Sequence, residues 1–456
     1  MNKNSALTVL CVASFLVPFM GSAINLSLPG IAESLALKAV SLSWIATAYL
    51  ITTAVFQVPF ARLADLIGRK KVFISGILLF SLATFFCGFA PSGTILIALR
   101  AVSGLGCAMM FGTSMAILTS IFPPKERGKA IGINTSVVYA ALASGPFLGG
   151  ILTHYWGWQS LFYSIGILGL FVATGAFLFL KGEWIESKGE RFDYTGSIIY
   201  AFGLFSLIFG FSKLPEIQSF LWIAFGIVSF LFFVLYELKD KQPVFNVRIF
   251  SGNKIFSLSC ISALINYACT SATAFMLSLY LQYVRGFNPQ HAGSILIIQA
   301  GIQCIITIFA GKMSDKMNPS ILATTGMSIT ALGLAGMIFL TPATSIVFII
   351  TLITLLGLGF GLFASPNSNI IMSSVDKKYY GQASATIGTM RLTGQAFSMG
   401  IAMMAISLNV GNRVITPDLH PQFMQSLHVS FIICTVLCLA GAYASSFRVK
   451  NNNQIN

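Results

Sequence analysis

The sequence predicts an all-α polytopic membrane protein, in which two parallel six-helix halves flank two inserted helices. This gives 14 transmembrane helices, with both termini in the cytoplasm. Three observations lead to this fold class: an apolar composition, a regular succession of apolar runs, and an internal repeat. The chain has 456 residues, of which 56% are hydrophobic and only 9% are charged. A soluble domain is usually about 25% charged, so most of this chain must face lipid or other apolar helices.

Fourteen apolar runs are separated by charged or Gly- and Pro-rich turns. Most have the roughly 20 residues that a helix needs to cross a bilayer, and they lack the alternation of strands in a membrane barrel. The predicted spans are 6–29, 42–62, 71–90, 94–121, 129–152, 160–180, 195–212, 220–236, 255–280, 292–312, 320–340, 345–372, 381–408 and 424–446.

Lysine and arginine are distributed unevenly between the two sides of the predicted membrane. With the N-terminus taken as cytoplasmic, 21 of the 27 lie on the inner side, four on the outer side and two inside spans. This follows the positive-inside rule, and it explains the net charge of +14 without a nucleic-acid partner. The short loops further predict a multi-pass protein in the lipid bilayer of a prokaryotic cytoplasmic membrane.

The sequence repeats itself at an offset of about 250 residues. Residues 104–130 and 357–383 align without a gap and share 8 of 27 positions. Upstream, Asp65 and Asp315 each lie in an inner loop just after a span. Spans 1–6 are therefore echoed by spans 9–14, an arrangement that places substrate near the midplane between the halves. We expect an N-terminal half at 1–181, inserted spans 7 and 8 with flanking inner loops at 182–252, and a C-terminal half with a short tail at 253–456.

Four short motifs give the chain a resemblance to a known family. They are ARLADLIGRKK (61–71), LRAVSGLG (99–106), ALASGPFLGG (141–150) and RFDYTGSI (191–198). Together they resemble motifs of the major facilitator superfamily, in its 14-span drug:proton antiporter group. Ala61 and Ala141 stand where that family usually has Gly. The resemblance implies the major facilitator fold and proton-coupled multidrug efflux by alternating access.

Two sets of gating residues follow from the resemblance. Asp65, Gly68 and Arg69 belong to the cytoplasmic loop that latches the two halves in the outward-open state of the family. Asp315 is the matching acid of the repeat. A plain solvated loop that obeys the positive-inside rule is the alternative reading of these charges.

The second set lies in span 5, where the motif breaks a stretch without charges. Gly145 and Gly149 form a GxxxG face that allows close backbone approach, and Pro146 bends the helix. With Gly150, they match the family's antiporter motif. We expect this helix to pack tightly against the opposite half and to part from it during transport; ordinary tight packing without gating is the alternative.

The chain departs from the family pattern in span 1. There FMGSAINLSLP (19–29) has Met20 at the position where the family usually has an acid. On the span map, all thirteen acids lie in loops or at span ends. A buried carboxylate attracts a cationic substrate and binds the competing proton, so neither role has an evident residue here.

The ionisable groups that the map places inside the membrane are instead Arg100 and Arg391. A buried arginine is costly unless it is paired or hydrated, and it stays protonated. Arg391 either meets an anionic or strongly hydrogen-bonding substrate, or is held by carbonyls and amide side chains, or marks a misplaced boundary. Polar residues of both halves are expected to line a cavity with the arginines, although each alone could be a helix–helix hydrogen bond. They are Asn25, Gln57, Asn134, Tyr139, Asn266, Gln299, Gln303, Asn367, Asn369 and Gln395.

The leading hypothesis is a monomeric secondary exporter of amphipathic small molecules or drugs, coupled to protons or another ion. The alternative is an exporter of an anionic, neutral or lipid-like metabolite, which the missing carboxylate favours. A non-transporting receptor is a remote third possibility. The sequence has no GxxxxGK[ST] motif of a built-in ATPase, and its scattered acids and histidines suggest no enzyme. We expect no catalytic residues, cofactor or metal.

Overall fold

The computed structural model of the protein describes residues 3–122, 124–185, 189, 191–213, 216–239, 244, 247–314, 317–375, 380–411 and 413–452. Over these residues the secondary structure consists of helices joined by turns and loops, without strands. The helices are α1 (Lys3–Ser34), α2 (Ala39–Ile67), α3 (Arg69–Cys87), α4 (Gly93–Ile121), α5 (Pro124–Trp156), α6 (Trp158–Phe179), α7 (Tyr194–Ser212), α8 (Ile217–Glu237), α9 (Arg248–Gly252), α10 (Lys254–Ala268), α11 (Thr270–Leu279), α12 (Pro289–Ser314), α13 (Pro319–Met337), α14 (Ile346–Ser373), α15 (Tyr380–Asn409) and α16 (His420–Asn452).

The membrane-spanning helices agree with the predicted fold class. In the described ranges, 13 segments are long and apolar enough to cross a membrane, and the 30-residue α15 completes the 14. One of the 13 runs from Lys254 to Val284 and combines α10, α11 and a π-helical turn. The predicted ninth span, 255–280, corresponds to this segment, within which one turn residue, Cys269, separates α10 from α11.

Capping side chains explain where several spans begin. The first amides of a helix lack intrahelical partners, and Ser, Asp or Asn at the N-cap accepts from one of them. Asp193 accepts from the Gly196 amide at 2.8 Å at the start of α7, and Asn318 accepts from the Ser320 amide at 3.0 Å at the start of α13. The polar residues between the apolar runs therefore determine where these helices begin.

The internal repeat corresponds to one close contact made twice. A Cβ on Gly106 of α4 would lie 2.7 Å from the carbonyl oxygen of Gly76 on α3, and a Cβ on Gly76 would lie 2.9 Å from the carbonyl oxygen of Gly106. Gly359 of α14 and Gly326 of α13 have the same reciprocal contact, at 2.7 and 2.8 Å. Without a hydrophobic drive between helices in lipid, such small-residue contacts allow the backbones to associate.

A second repeated contact joins the same helices to their other neighbours. A Cβ on Gly104 of α4 would lie 2.6 Å from the Tyr49 carbonyl oxygen on α2. A Cβ on Gly357 of α14 would lie 2.6 Å from the Gln299 carbonyl oxygen on α12. The Gly-Leu-Gly sequence occurs once in each copy of the repeat, in α4 and in α14. In both helices its glycines leave the space that the neighbouring helix backbones occupy.

The inserted helices pack across the line where α2 meets α15. Tyr200, Leu204 and Ile208 of α7 share one buried cluster with α2 residues, such as Val55, and with Leu392 of α15. The α7–α8 hairpin therefore contacts helices of both six-helix sets. Much of the outer surface of α8 is exposed apolar side chain, as expected for a helix facing lipid.

We predict that Gly106→Ala lowers thermal stability, because the new Cβ would contact the Phe80 amide and the Gly76 carbonyl. Overpacking of this kind costs about 1–3 kcal/mol. Gly359→Ala should do the same in the second repeat. Thermal unfolding of the detergent-purified protein measures the loss.

The matched control is Gly301→Ala in α12, where nothing lies within 4 Å of the added Cβ. That variant should be as stable as the unmodified protein or slightly more so, since Ala favours helix by about 1 kcal/mol over Gly. Equal melting temperatures for all three variants would contradict the close contact.

Candidate functional site

A cavity of about 220 Å³ lies between the two six-helix sets. Its walls come from α1, α2, α4 and α5 on one side and from α10, α11, α12, α14 and α15 on the other. Of the twelve residues predicted for a cavity, seven line it: Asn25, Arg100, Tyr139, Gln299, Gln303, Arg391 and Gln395.

The other five predicted residues lie between helices, outside that lining. Asn367 donates to the Ser259 carbonyl at 3.2 Å, and Asn369 donates to the Ser314 hydroxyl at 3.2 Å. Gln57, Asn134 and Asn266 are buried. Gln57 faces α15, because a Cβ on Gly388 would lie 2.9 Å from its Nε2. Asn367 and Asn369 thus make the helix–helix hydrogen bonds of the alternative reading. Gln57 Oε1, Asn134 Oδ1 and Asn266 Nδ2 are buried and have no hydrogen-bond partner among the described residues.

Arg100 is held by the protein on the α2 side of the cavity. Its side chain is 1% exposed, and its Nε donates to the Ile45 carbonyl at 3.1 Å. The guanidinium lies over the Tyr49 ring, 4.2 Å from the centroid. One terminal nitrogen, Nη1, is buried and has no hydrogen-bond partner within the described chain. Its charge is therefore only partly compensated.

Arg391 lines the same cavity from α15, eleven residues after the helix begins at Tyr380. Its guanidinium lies 5.3 Å from the centroid of the Phe111 ring on α4. Among the residues that the structure describes, it has neither a hydrogen bond nor an ion pair. Of the three readings of Arg391 given above, the one in which carbonyls and amide side chains hold it has no such contact among the described residues.

Apart from Tyr139, the aromatic rings of the cavity were not predicted from the sequence. Tyr49, Phe111, Tyr267 and Phe360 all line the cavity. Tyr267 and the predicted Tyr139 line the same cavity as Arg391. A tyrosine hydroxyl inside an apolar run needs a polar neighbour, and that signal could have identified Tyr49 and Tyr267.

The interruption of the ninth span also borders the cavity. Tyr267 lies two residues before Cys269, and Thr270 and Ser271 begin α11. These three residues line the cavity, whereas Cys269 does not. In the first turn of α11, the Ala272 amide donates to the Ser398 hydroxyl of α15 at 2.7 Å. The break is thus stabilised from a neighbouring helix, and the amino end of α11 faces the binding space.

No carboxylate belongs to the cavity lining that the structure describes. Met20, at the position of the family's usual acid, is buried in the apolar core and is not among the lining residues. Glu237 is 2% exposed, but it is the last residue of α8, outside the cavity. The charges that line the space are those of the two arginines.

The outer end of the cavity is closed by backbone contacts between α5 and α12. A Cβ on Gly150 would lie 2.6 Å from the Pro289 carbonyl oxygen, and a Cβ on Gly293 would collide with the Pro146 carbonyl oxygen. Nearby, the Ser278 hydroxyl of α11 donates to the Asn25 carbonyl of α1 at 2.8 Å. Helices of the two sets are therefore in direct contact on the outer side.

The sequence predicts that the GxxxG face packs against the opposite half, and this prediction is wrong. Gly145 and Gly149 pack against α1 in the same six-helix set: added Cβ atoms would meet the Ser22 hydroxyl and, at 2.9 Å, the Ala23 Cα. Successive residues of a helix turn by about 100°, so one motif serves two neighbours. Pro146 and Gly150, each one residue later, face α12 across the interface.

The cytoplasmic loop between α2 and α3 is ordered by contacts with the N-terminal set and with Glu183, which follows α6. Arg69 pairs with Asp65 at 2.8 Å and donates to the Ser120 hydroxyl at 3.0 Å. Gly68 has φ +120° and lies against Glu183, whose Oε1 accepts from the Lys70 amide at 2.8 Å. Asp315 lies outside the described residues. A latch between the two sets stays a prediction.

Comparison with known proteins identifies the family. The family model described as Major Facilitator Superfamily matches residues 10–399. The chain belongs to this superfamily. It is a multi-span transporter of a cell membrane, and its substrate is a small molecule. A solved structure, a bacterial homolog to the human lysosomal transporter Spinster in an inward-facing and unoccupied conformation, superposes with a TM-score of 0.73 at 17% identity, covering 98% of this chain and 97% of that one.

Curated relatives include three bacterial transporters. The riboflavin transporter RibZ of Clostridioides difficile is 27% identical over 88% of this chain and 88% of its own length. The multidrug resistance protein Stp of Mycobacterium tuberculosis is 27% identical over 88% of this chain and 76% of its own length. The cephamycin export protein CmcT of Amycolatopsis lactamdurans is 29% identical over 88% of this chain and 84% of its own length.

We predict that Gly293→Ala opens the outer side of this transporter. The added Cβ cannot coexist with the Pro146 carbonyl, and a penalty of about 1–3 kcal/mol would shift the closed population by roughly 5- to 150-fold. Spin labels at His154→Cys and His291→Cys, both exposed positions at the outer ends of α5 and α12, should report longer distances.

Gly301→Ala, in the same helix with open space around its Cβ, is the matched control. Its label distances should equal those of the unmodified pair. A Gly293→Ala protein with the same distance distribution as this control would show that the contact does not hold the outer side closed.

Proposed function

We propose that this chain is a secondary active exporter of amphipathic small molecules, working by alternating access and energised by the proton motive force. The observation that carries the proposal is the cavity between the two six-helix sets, closed on the outer side by the α5–α12 contacts. Ring faces, amide side chains and guanidinium groups share its walls. Such a surface suits molecules with both an apolar and a polar part.

The proposed direction and substrate size draw on the relatives. Their names refer to riboflavin, to several drugs and to cephamycin, and one is named as an export protein. These names support small organic substrates and outward transport for this chain as well. Across a membrane, each 100 mV contributes about 2.3 kcal/mol per elementary charge, which is sufficient to drive export without ATP.

An exporter of an anionic, neutral or lipid-like metabolite is the second candidate. One specific observation favours it: the described cavity lining contains two arginines and no carboxylate. A cation–proton antiporter needs an acid that exchanges the two ions. In this chain the position of that acid is Met20.

The moving parts that we propose are the six-helix units at 1–181 and 253–456, with 182–252 between them. In the inner loop, the ion pair of Asp65 and Arg69 holds the α2–α3 turn in shape. We propose that this loop engages the C-terminal unit when the inner side closes. Gly68, with its positive φ, gives the turn a conformation that other residues rarely adopt.

The function is tested by reconstituting the purified protein into liposomes and following fluorescent amphipathic probes of different charge. Saturable movement of at least one probe above protein-free vesicles, driven by an imposed pH gradient or membrane potential, is the expected result. Saturable binding with no flux under either gradient would contradict the exporter and support a receptor.

We predict that Asp65→Asn slows transport at least about tenfold and leaves probe binding unchanged, because the loop loses its charge-assisted pair. The rate in liposomes and binding in detergent are measured separately. Glu216→Gln is the control: it breaks the exposed pair of Lys213 and Glu216, 4.0 Å apart in an outer loop, and such surface pairs contribute little. Equal slowing by both variants would contradict a gating role for Asp65.

A further inference from the structure

We propose that the cavity is an organic-anion site, in which Arg391 binds the acidic group of an aromatic substrate beside the amino end of α11. This inference rests on the proposed function and specifies its substrate class. Three independent features of the cavity support it: the state of the two guanidinium groups, the interrupted ninth span, and the position of the rings.

The first feature is unused positive charge. Arg391 has no hydrogen bond or ion pair within the described chain, and it rests on the Phe111 ring at 5.3 Å. A guanidinium stacked on a ring keeps its N–H donors at its edge, where they fit both oxygens of a carboxylate, sulfonate or phosphate. Arg100, 1% exposed, adds a second buried charge with an unpaired Nη1.

The second feature is the helix break at Cys269. Cys269 is a single residue with helical backbone angles, φ −98° and ψ −9°, so the carboxyl end of α10 meets the amino end of α11 and offsets its partial charge. After it, Thr270 and Ser271 line the cavity together with Arg391. Hydroxyl groups of α11 and the guanidinium of α15 therefore face the same space.

The third feature is the set of rings around this positive centre. Phe111, Tyr139 and Tyr267 line the cavity together with Arg391, and the guanidinium lies over the Phe111 ring. A planar substrate can stack on these rings while its acid pairs with the guanidinium. The volume of about 220 Å³ accommodates a compact molecule of this kind.

An anionic substrate also accounts for the missing carboxylate. A membrane potential that is negative inside drives an anion outward, by about 50-fold in concentration ratio per 100 mV for one charge. Export then needs no residue that alternately binds substrate and proton. The electrical part of the proton motive force is sufficient, and Met20 in place of an acid has no cost for transport.

Three probes with one ring system test the charge preference: dansylglycine as the anion, dansylglycinamide as the neutral form and dansylcadaverine as the cation. Binding is followed by energy transfer from tryptophan. We expect dansylglycine to bind at least about tenfold more tightly than the other two. Arg391→Gln should remove this preference while dansylglycinamide binding changes less than about twofold, and Arg391→Lys should retain part of it.

Arg285→Gln is the matched control. That arginine also lies over a ring, 5.9 Å from the Phe287 centroid, but at the outer surface away from the cavity lining. It should leave all three affinities unchanged. In liposomes at equal pH on both sides, a potassium diffusion potential imposed with valinomycin should move dansylglycine toward the positive compartment, and Arg391→Gln should abolish this movement.

The anion site is overturned if dansylglycine shows no saturable binding, if the three probes bind equally, or if Arg391→Gln weakens all three alike. Transport of dansylcadaverine by both the unmodified protein and Arg391→Gln would overturn the anion site and leave the exporter intact. Binding of dansylglycine with no flux of any probe would overturn the exporter and leave the site intact. The two proposals therefore fail by different measurements.

Discussion

The close backbone contact of helices at glycine is the constraint on which the rest of this structure depends. In a bilayer, helices gain nothing from leaving water, so they associate where small residues let their backbones meet. The chain places such contacts within each six-helix set, at Gly76 with Gly106 and at Gly326 with Gly359. Each set is thereby tightly joined, and the surface between the two sets contains the cavity.

The two arginines of the cavity differ in how their charge is compensated. Arg100 has a carbonyl partner and the Tyr49 ring, so the protein stabilises most of that group. Among the described residues, Arg391 has only the Phe111 ring. Since a charge in the membrane is costly without a partner, this state supports our proposal that a ligand completes Arg391.

Much of the fold could be predicted from the sequence because lipid imposes a simple rule. Backbone groups must be satisfied inside each segment, so length and hydropathy identify helices, and lysine and arginine orient them. The break at Cys269 could not be predicted in this way, because its stabilising partner, Ser398, comes from a helix more than 120 residues away. Composition within one span contains no signal for such a contact.

The candidate site was harder to predict than the fold, because the type of a residue does not show which way its side chain points from the helix. Asn367 and Gln299 look alike in an apolar run, yet one binds a carbonyl between helices and the other lines the cavity. Gly145 and Gly150 belong to one motif but face different neighbours. Only the rotation of each helix about its axis separates these cases, and that rotation is set by packing across the whole set.

The two sides of the interface between the six-helix sets are built from different contacts, and this difference bears on how they can move. Between α5 and α12, Gly150 and Gly293 bring backbones together. Between α2 and α15, apolar side chains predominate, with α7 packed over both. Side-chain contacts of this kind can slide without losing main-chain interactions, whereas the glycine contacts must separate completely when the outer side opens.

Leu392 belongs to the α2–α15–α7 cluster and also lines the cavity next to Arg391. A shift of α15 at this interface therefore moves the residue beside the proposed anion site, so the inserted helices are physically connected to the position where we propose that substrate charge binds.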